Sequence, residues 1–309
     1  MTDDYRPDEV PEHDSGAETG GVAAPSRHSR RDAPRTKRGT QDRVLLGLRG
    51  LGQTLITGGL VILLFVVYEV WVSNIFAGYK RQKVENDLVQ AWAGNKDPLA
   101  GLPGSGQKSI PVGTAIANIY IPRFGDDFHF PIVQGTGDDS LSEGVGHYDN
   151  TPLPCAPGLT VPGSTTACQP GNFSLAGHRV GKGEPFLNMD QLKPGDAVVV
   201  QTKTEWFVYT MLGDPSTGNA GVPGTQPTAP AEAANYNVVG QETVEPSDGN
   251  VLLPVPNKPD VAPSAYLLTM TTCTPKFSAT KRLIVHAYLS RAVPVSGTSI
   301  PKELTGGTL

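Results

Sequence analysis

Three side chains in this sequence are of the types that can pass an acyl group from one amine to another. Cys273 closes the apolar run Leu267-Leu268-Thr269-Met270-Thr271-Thr272, Arg282 opens Leu283-Ile284-Val285 nine residues later, and His178 follows Phe173-Ser174-Leu175-Ala176-Gly177. A cysteine attacks carbonyl carbon as its thiolate, so it needs an electropositive setting and an acid/base partner. Histidine protonates a leaving amine and accepts a proton from an incoming one near neutral pH. Arginine stays charged and holds a developing oxyanion with a rigid fork of donors. Together the three describe acyl transfer through a thioester. Each alone has a plainer reading: a buried strand thiol, a histidine in a turn, an exposed ion pair.

Positioning these groups falls to a β-rich domain. From Val112 the chain breaks into short β-type runs separated by turn residues, at Ala115–Ile121, Phe128–Gln134, Ala197–Thr202, Trp206–Leu212, Asn237–Val244, Val251–Val255, Tyr266–Thr271 and Leu283–Leu289. Runs of this length with no long helix between them predict a mostly antiparallel barrel or sandwich. Cys273 then leaves one strand and Arg282 enters the next, at a sheet rim that a substrate can reach. Two stretches interrupt the plan: Thr151–Gly171, and Gly213–Asn235, whose Pro, Ser and Gly content predicts a mobile surface excursion. After Ala292 the chain turns polar.

Ahead of this domain the composition changes twice. Residues 1 to about 42 are polar and Pro/Gly/Ser-rich, which predicts disorder. Gly50 to Tyr68 carries no charge over nineteen residues, about the length that crosses a bilayer core of roughly 30 Å as a helix. Trp71, Phe76 and Tyr79 follow where an aromatic belt would lie. Eight Lys and Arg between Arg27 and Arg49 precede the span, whereas Lys80, Arg81 and Lys83 after it are offset by Glu85 and Asp87. That asymmetry predicts an uncleaved signal anchor with a cytoplasmic N-terminus. Val84, Leu88 and Trp92 then form a helical stripe suited to packing on the following domain, and Asn95–Pro111 reads as a linker. The expected divisions are a tail at 1–49, an anchor at 50–72, a helix and linker at 73–111, a catalytic domain at 112–293 and a tail at 294–309.

The net charge of −5 argues against a nucleic-acid binder, because the basic residues cluster outside the β-rich part. Of three cysteines, Cys155 and Cys168 lie thirteen residues apart in the first interrupting loop. Outside the cytosol they can pair as a disulfide and leave Cys273 free. The loop either shapes access to the site or decorates the surface. His286 alternates with Val285 and Ala287 as a packed strand residue would, and His147 stands beside Tyr148 ahead of the loop. No clustered metal-ligand spacing occurs, so no metal site and no cofactor is expected.

The run Thr269-Met270-Thr271-Thr272-Cys273 resembles the TLxTC signature of sortases, with Met270 where Leu is usual, and Arg282 matches that family's arginine on the next strand. Leu175-Ala176-Gly177-His178-Arg179 is similar to its histidine segment. The LAGHR form, the Cys-Thr-Pro continuation and the single N-terminal anchor are most similar to class E sortases of Gram-positive actinobacteria. The resemblance covers about residues 112 to 293. It implies an eight-stranded sortase-type β-barrel with short helices, preceded by one transmembrane helix, with the catalytic groups Cys273, His178 and Arg282 in a groove on the outer wall. Thr271, Thr272, Tyr148 and His147 are the candidate substrate contacts, with a purely structural role as the alternative for His147. The implied reaction cleaves a C-terminal sorting signal of surface proteins, of LAxTG or LPxTG type, between Thr and Gly through a Cys273 thioester. A peptidoglycan-precursor amine then takes the acyl group, outside a membrane spanned by one helix. A pilus-polymerising sortase, or a non-catalytic envelope-binding β-barrel module, are the alternatives.

Overall fold

The computed structural model describes residues 39–68, 73–94, 96–97, 110–161, 165–214, 236–296 and 300–305. The disorder expected for the N-terminal tail, most of the linker and nearly all of the Gly213–Asn235 excursion lie outside these residues. The chain divides into two compact units, residues 1–57 and 58–309.

Helix α1 (Thr40–Val67) begins ahead of the boundary expected at residue 50. Arg43-Val44-Leu45-Leu46 supplies residues of mostly good helix propensity that carry the helix upstream of the uncharged stretch. Its 25-residue portion Arg43–Val67 is long and apolar enough to cross a membrane, and none of it is buried. At 1.5 Å per residue that portion spans about 37 Å. Helix α2 (Ser73–Ala93) follows.

The β-rich part contains β1 (Ala115–Tyr120), β2 (His129–Gln134), a short helix α3 (Asp138–Glu143), β3 (Val145–His147), β4 (Gly171–Ala176), β5 (Ala197–Gln201), β6 (Glu205–Met211), β7 (Gln241–Val244), β8 (Tyr266–Thr274) and β9 (Lys281–Pro294). The strands run β6-β5-β1-β2-β3-β4-β8-β9, and pairing of β9 with β6 closes the ring. β7 pairs with the first half of β9, at Arg282–Val285, and β6 with the second half, at Ala287–Pro294. The junction is continuous: Leu212 N donates to His286 O at 3.0 Å, and His286 N donates to Gly240 O at 2.8 Å. β6 and β7 therefore share one position, and nine segments make an eight-stranded closed barrel. Only glycine fits at that junction, because a Cβ on Gly240 would stand 1.8 Å from Leu212 O.

Period-two alternation sorts the side chains. Leu268 and Met270 of β8, and Leu283, Val285, Ala287 and Leu289 of β9, enter the main core with Phe173 and Leu175 of β4. Leu267 and Tyr288 face the other way, into a second cluster with Leu212, Tyr236 and Val255. β5 reads Ala-Val-Val-Val-Gln without alternation because both its faces are covered. Val198 and Val200 belong to the main core, while Val199 packs outside with Trp206, Val208 and Leu304.

The helical stripe ahead of the barrel packs on it as its spacing predicts. Leu88 is 2% exposed, and α2 lies against β1, β2 and α3. Around it the Arg81 guanidinium stacks 4.5 Å over the Phe130 ring, and His129 Nε2 lies 2.8 Å from Glu85 Oε1.

Four expectations change. The run Val251–Val255 is no strand: Gly249–Leu252 is a 3-10 turn whose first residues are capped by the Asp248 side chain accepting from Asn250 N. The carbonyls of Val251 and Leu253 accept from Asn172 Nδ2, at 3.2 and 3.0 Å, in place of a strand partner. Asn237–Val244 shortens to β7, since Asn237 has φ +51°. β3 and β4 are strands outside the expected runs, because Gly146, Asn172 and Ser174 dilute their apolar pattern. Residues 300–305 of the C-terminal stretch belong to the fold: Leu304 packs near Trp206, and Arg291 Nη1 donates to Glu303 Oε1 at 2.9 Å.

Cys155 and Cys168 form a disulfide. Ala156 enters the core and Leu153 and Leu159 pack against it, so this loop closes one end of the barrel.

Two outcomes follow for the full-length protein in detergent. Leu88→Ala lowers unfolding free energy by about 2 to 5 kcal/mol in denaturant titrations, through the cavity left beneath α2. Intact-mass measurement after alkylation labels Cys273 alone without reductant and all three cysteines with it; reduction costs roughly 3 kcal/mol on the chain-entropy estimate. Labelling of Cys155 and Cys168 before reduction would contradict the pairing.

Candidate active site

Register brings the chemistry-bearing residues together. β8 and β9 pair antiparallel with Cys273 directly opposite Arg282, and directly opposed residues point to the same face of a sheet. That face is the outer one, since Met270 and Leu283, one position out of phase, go inward. β4 runs parallel to β8 with Ala176 beside Thr271. Gly177 N continues the ladder to Thr271 O at 3.1 Å, and Thr272 Oγ1 donates back to Gly177 O at 2.8 Å. His178 therefore emerges at the same end of the barrel as Cys273, on the neighbouring strand. Gly177 is tightly enclosed: a Cβ there would meet the Phe186 ring at 2.6 Å, and Phe186 N donates to His178 O at 3.0 Å.

Cys273 is a free thiol, half-buried. His178 is also half-buried, yet its Nε2 is enclosed and has no hydrogen-bond partner among the described residues. Burial, and next the nearby Lys182 ammonium, push the imidazole below its ordinary range, partly offset by Asp138. These effects favour the neutral imidazole. Arg282 Nη1 donates to Ala279 O at 3.0 Å and Lys281 O at 3.2 Å, within its own hairpin. Cys273 and Arg282 thus share one outer face, with His178 at the same end of the barrel.

The expected substrate contacts take other positions. Thr271, Thr272 and His147 are buried. Tyr148 Oη and Thr271 Oγ1 share a hydrogen bond of 2.9 Å, so this pair ties β3 to β8. His147 Nδ1 meets Gln134 Oε1 at 2.8 Å, and its Nε2 is 3.2 Å from Pro152 O. With both nitrogens occupied and the ring buried, His147 holds β2, β3 and the loop after it together and does not line a groove. Of the four, Tyr148 alone is partly accessible. His286 is a packed strand residue, its Nδ1 2.8 Å from Thr269 Oγ1 and its Nε2 3.1 Å from Glu242 Oε1. No group of His, Cys, Asp and Glu able to hold a metal occurs among the described residues.

The disulfide loop stands away from Cys273. It meets the start of β8, where Tyr266 Oη donates to Cys168 O at 3.3 Å, seven residues or roughly 20 Å along the strand from Cys273. A crevice of about 550 Å³ lined by Ala156, Leu159, Tyr266, Leu289 and Ala292 lies there as well, away from the thiol. Two residues near the thiol were not singled out by type or spacing. Arg179 is 6% exposed and reaches the Cys273 segment, and Phe277, 84% exposed, projects from the hairpin after Cys273 with φ +64°. Buried Arg179 sits next to His178 in sequence, but nothing in its neighbours signals burial.

The closed barrel is a fold shared with known proteins. A sortase domain matches residues 119–219 and 225–290. The chain is 32% identical over 255 residues to sortase SrtE2 of Streptomyces coelicolor, covering 82% of this chain and 87% of that one. It is 33% identical over 260 residues to sortase SrtE1 of the same organism, covering 83% of this chain and 60% of that one. The SrtF sortase of Corynebacterium diphtheriae superposes with a TM-score of 0.53 at 34% identity, over 65% of this chain and 97% of that one. This chain belongs to the sortase family and is a cysteine transpeptidase, with E-type sortases among its relatives.

Histidine burial predicts acid sensitivity. His147 is held down at about 4, by burial first, against the raising effect of Pro152 O, Asp149 and Thr151. Its folded value lies below the unfolded one of about 6.5, so the unfolded chain binds more protons between the two. Stability is complete above pH 6.5 and falls as pH drops toward 4, by roughly 3 kcal/mol for this group. Denaturant titrations at several pH values check this: His147→Gln flattens the slope between pH 6.5 and 4 relative to wild type.

Proposed function

We propose that Cys273 is the nucleophile, His178 the acid/base and Arg282 the oxyanion and substrate clamp of a wall-anchoring transpeptidase. The observation that carries this reading is the ladder register: Cys273 opposite Arg282, with His178 leaving the adjacent strand beside Thr272. Neutral His178 takes the proton from Cys273 Sγ as the thiolate attacks the Thr carbonyl carbon of a sorting signal. The imidazolium then protonates the departing Gly nitrogen, and the thioester remains. In the second half-reaction an amine attacks the thioester, His178 accepts its proton, and the thiolate leaves. Arg282 turns its fork from its own hairpin carbonyls to the oxyanion in both steps.

The LAGHR and Cys-Thr-Pro segments favour an LAxTG signal over LPxTG, and a peptidoglycan-precursor amine as acceptor. α1 anchors the enzyme as a single-pass span, with the N-terminus cytoplasmic and the barrel outside. A disulfide between Cys155 and Cys168 suits that compartment.

The test incubates the full-length protein in detergent with fluorogenic LAxTG and LPxTG peptides, with and without triglycine. The expected result is cleavage and transfer with LAxTG preferred, abolished in Cys273→Ala and lowered in Arg282→Lys by about 100-fold, a typical loss for an oxyanion donor. Cleavage that survives Cys273→Ala would overturn the assignment, and transfer only to a lysine side chain would point to pilus assembly. The acid limb of kcat/KM reports the Cys–His pair. Because Lys182 lowers and Asp138 raises the His178 value, Lys182→Gln moves that limb to higher pH and Asp138→Asn to lower pH.

A further inference from the structure

Arg179 follows the candidate acid/base in sequence and reaches across to the nucleophile's own backbone. Its Nη1 donates to Thr274 Oγ1 at 2.8 Å and, more weakly, to Cys273 O at 3.4 Å. Its Nη2 lies 3.0 Å from Asp190 Oδ1, on the 3-10 turn Met189–Gln191. The guanidinium is 6% exposed and its Nε has no partner among the described residues. Burying a charge with an unsatisfied donor is unfavourable unless geometry requires it. Mere ion pairing with Asp190 does not require it, because Asp190 is half exposed and also has Lys276 Nζ 4.0 Å away. What burial adds is the contact with Thr274 and Cys273, made where β8 ends and no ladder partner beyond Lys281 constrains the chain.

On the reading of Cys273 as nucleophile, we infer that Arg179 is a positioning residue that fixes the backbone leaving Cys273 and so holds the thiol in register with His178. Two strands already align the approach to Cys273; Arg179 fixes the exit. Because residues 178 and 179 are covalently adjacent, one buried side chain sets the relation between the acid/base loop and the nucleophile. Arginine is needed for this because a single planar fork reaches Thr274 on one nitrogen and Asp190 on the other; a lysine keeps the charge and cannot span both. Arg282 does not duplicate the role, since its donors meet the hairpin carbonyls of Ala279 and Lys281.

The test uses full-length protein in detergent, with Arg179→Lys, Thr274→Val and the double variant. Thr274→Val removes only the acceptor and keeps the shape, so it remains informative if Arg179→Lys folds poorly. Each single variant is expected to lower kcat for LAxTG peptide cleavage about tenfold with KM within about twofold, and the double variant to be no worse than either, as one shared link requires. The rate of Cys273 alkylation by iodoacetamide, which needs no peptide, is expected to change in parallel, while the melting temperature of Thr274→Val stays within about 3 °C of wild type. A folded Thr274→Val with wild-type kcat and alkylation rate, or losses that multiply in the double variant, would overturn the inference. Activity retained in Cys273→Ala would instead overturn the functional reading beneath it, and the alkylation measurement keeps the two failures apart.

Discussion

The ladder that joins β8 to β4 on one side and to β9 on the other is the constraint on which the site depends. Hydrogen-bond register is discrete: a slip of one residue turns every side chain to the opposite face. Here one face of β8 and β9 is committed to the core by Leu268, Met270, Leu283, Val285 and Ala287. Burial of those side chains fixes the register, and the register in turn puts Cys273 and Arg282 on the outer wall. Met270, the departure from the usual signature, lies fully in the core. Leucine and methionine are close in volume and polarity, so the exchange is felt as packing.

Around this ladder the outer face is tied down by buried polar groups. Thr269 links Asn172 of β4 to His286 of β9, and His286 continues to Glu242 of β7. Asn172 also holds the carbonyls of the 3-10 turn after β7. Tyr148 meets Thr271, while on the inner face His147, opposite core Leu175, joins Gln134 to the loop after β3. Each is costly to bury without partners and specific once paired. They replace the apolar contacts that an outer wall lacks, and they hold the strands that flank the thiol in one arrangement. The same pairing keeps His147 from a substrate groove.

The two ends of β8 are therefore different in kind. At its start the disulfide loop and the core contacts of Ala156 and Leu159 close the barrel. At its finish the chain is exposed, with Cys273 half-buried and Phe277 projecting. Helix α2, docked through Leu88, lies against β1 and β2. The rigid parts surround the reactive end, which is what a site needs when small displacements of a nucleophile are expensive in rate.

Much was legible in the sequence because it is carried by local pattern. The alternation in residues 267 to 272 and 283 to 289 marked both strands of the central hairpin, the uncharged stretch 50 to 68 marked the long helix, and the spacing of Val84, Leu88 and Trp92 marked the docking face of α2. The residue types Cys, His and Arg near strand ends defined a chemistry. Other features depended on contacts between residues far apart in the chain. Val251–Val255 has strand composition, but Asn172, about eighty residues earlier, takes the carbonyls that a strand would pair. β3 and β4 hold polar and glycine residues that only their neighbours explain. His147 and Tyr148 are adjacent in sequence, yet one is sealed between β2 and a loop while the other reaches β8. Sequence by itself determined the residue types on offer and the strands of the central hairpin; tertiary structure decided which other segments pair as strands, which side chains share a face and which are sealed away. The reason is physical: propensity and periodicity act within a few residues, whereas burial and register are set by partners that the chain meets only on folding.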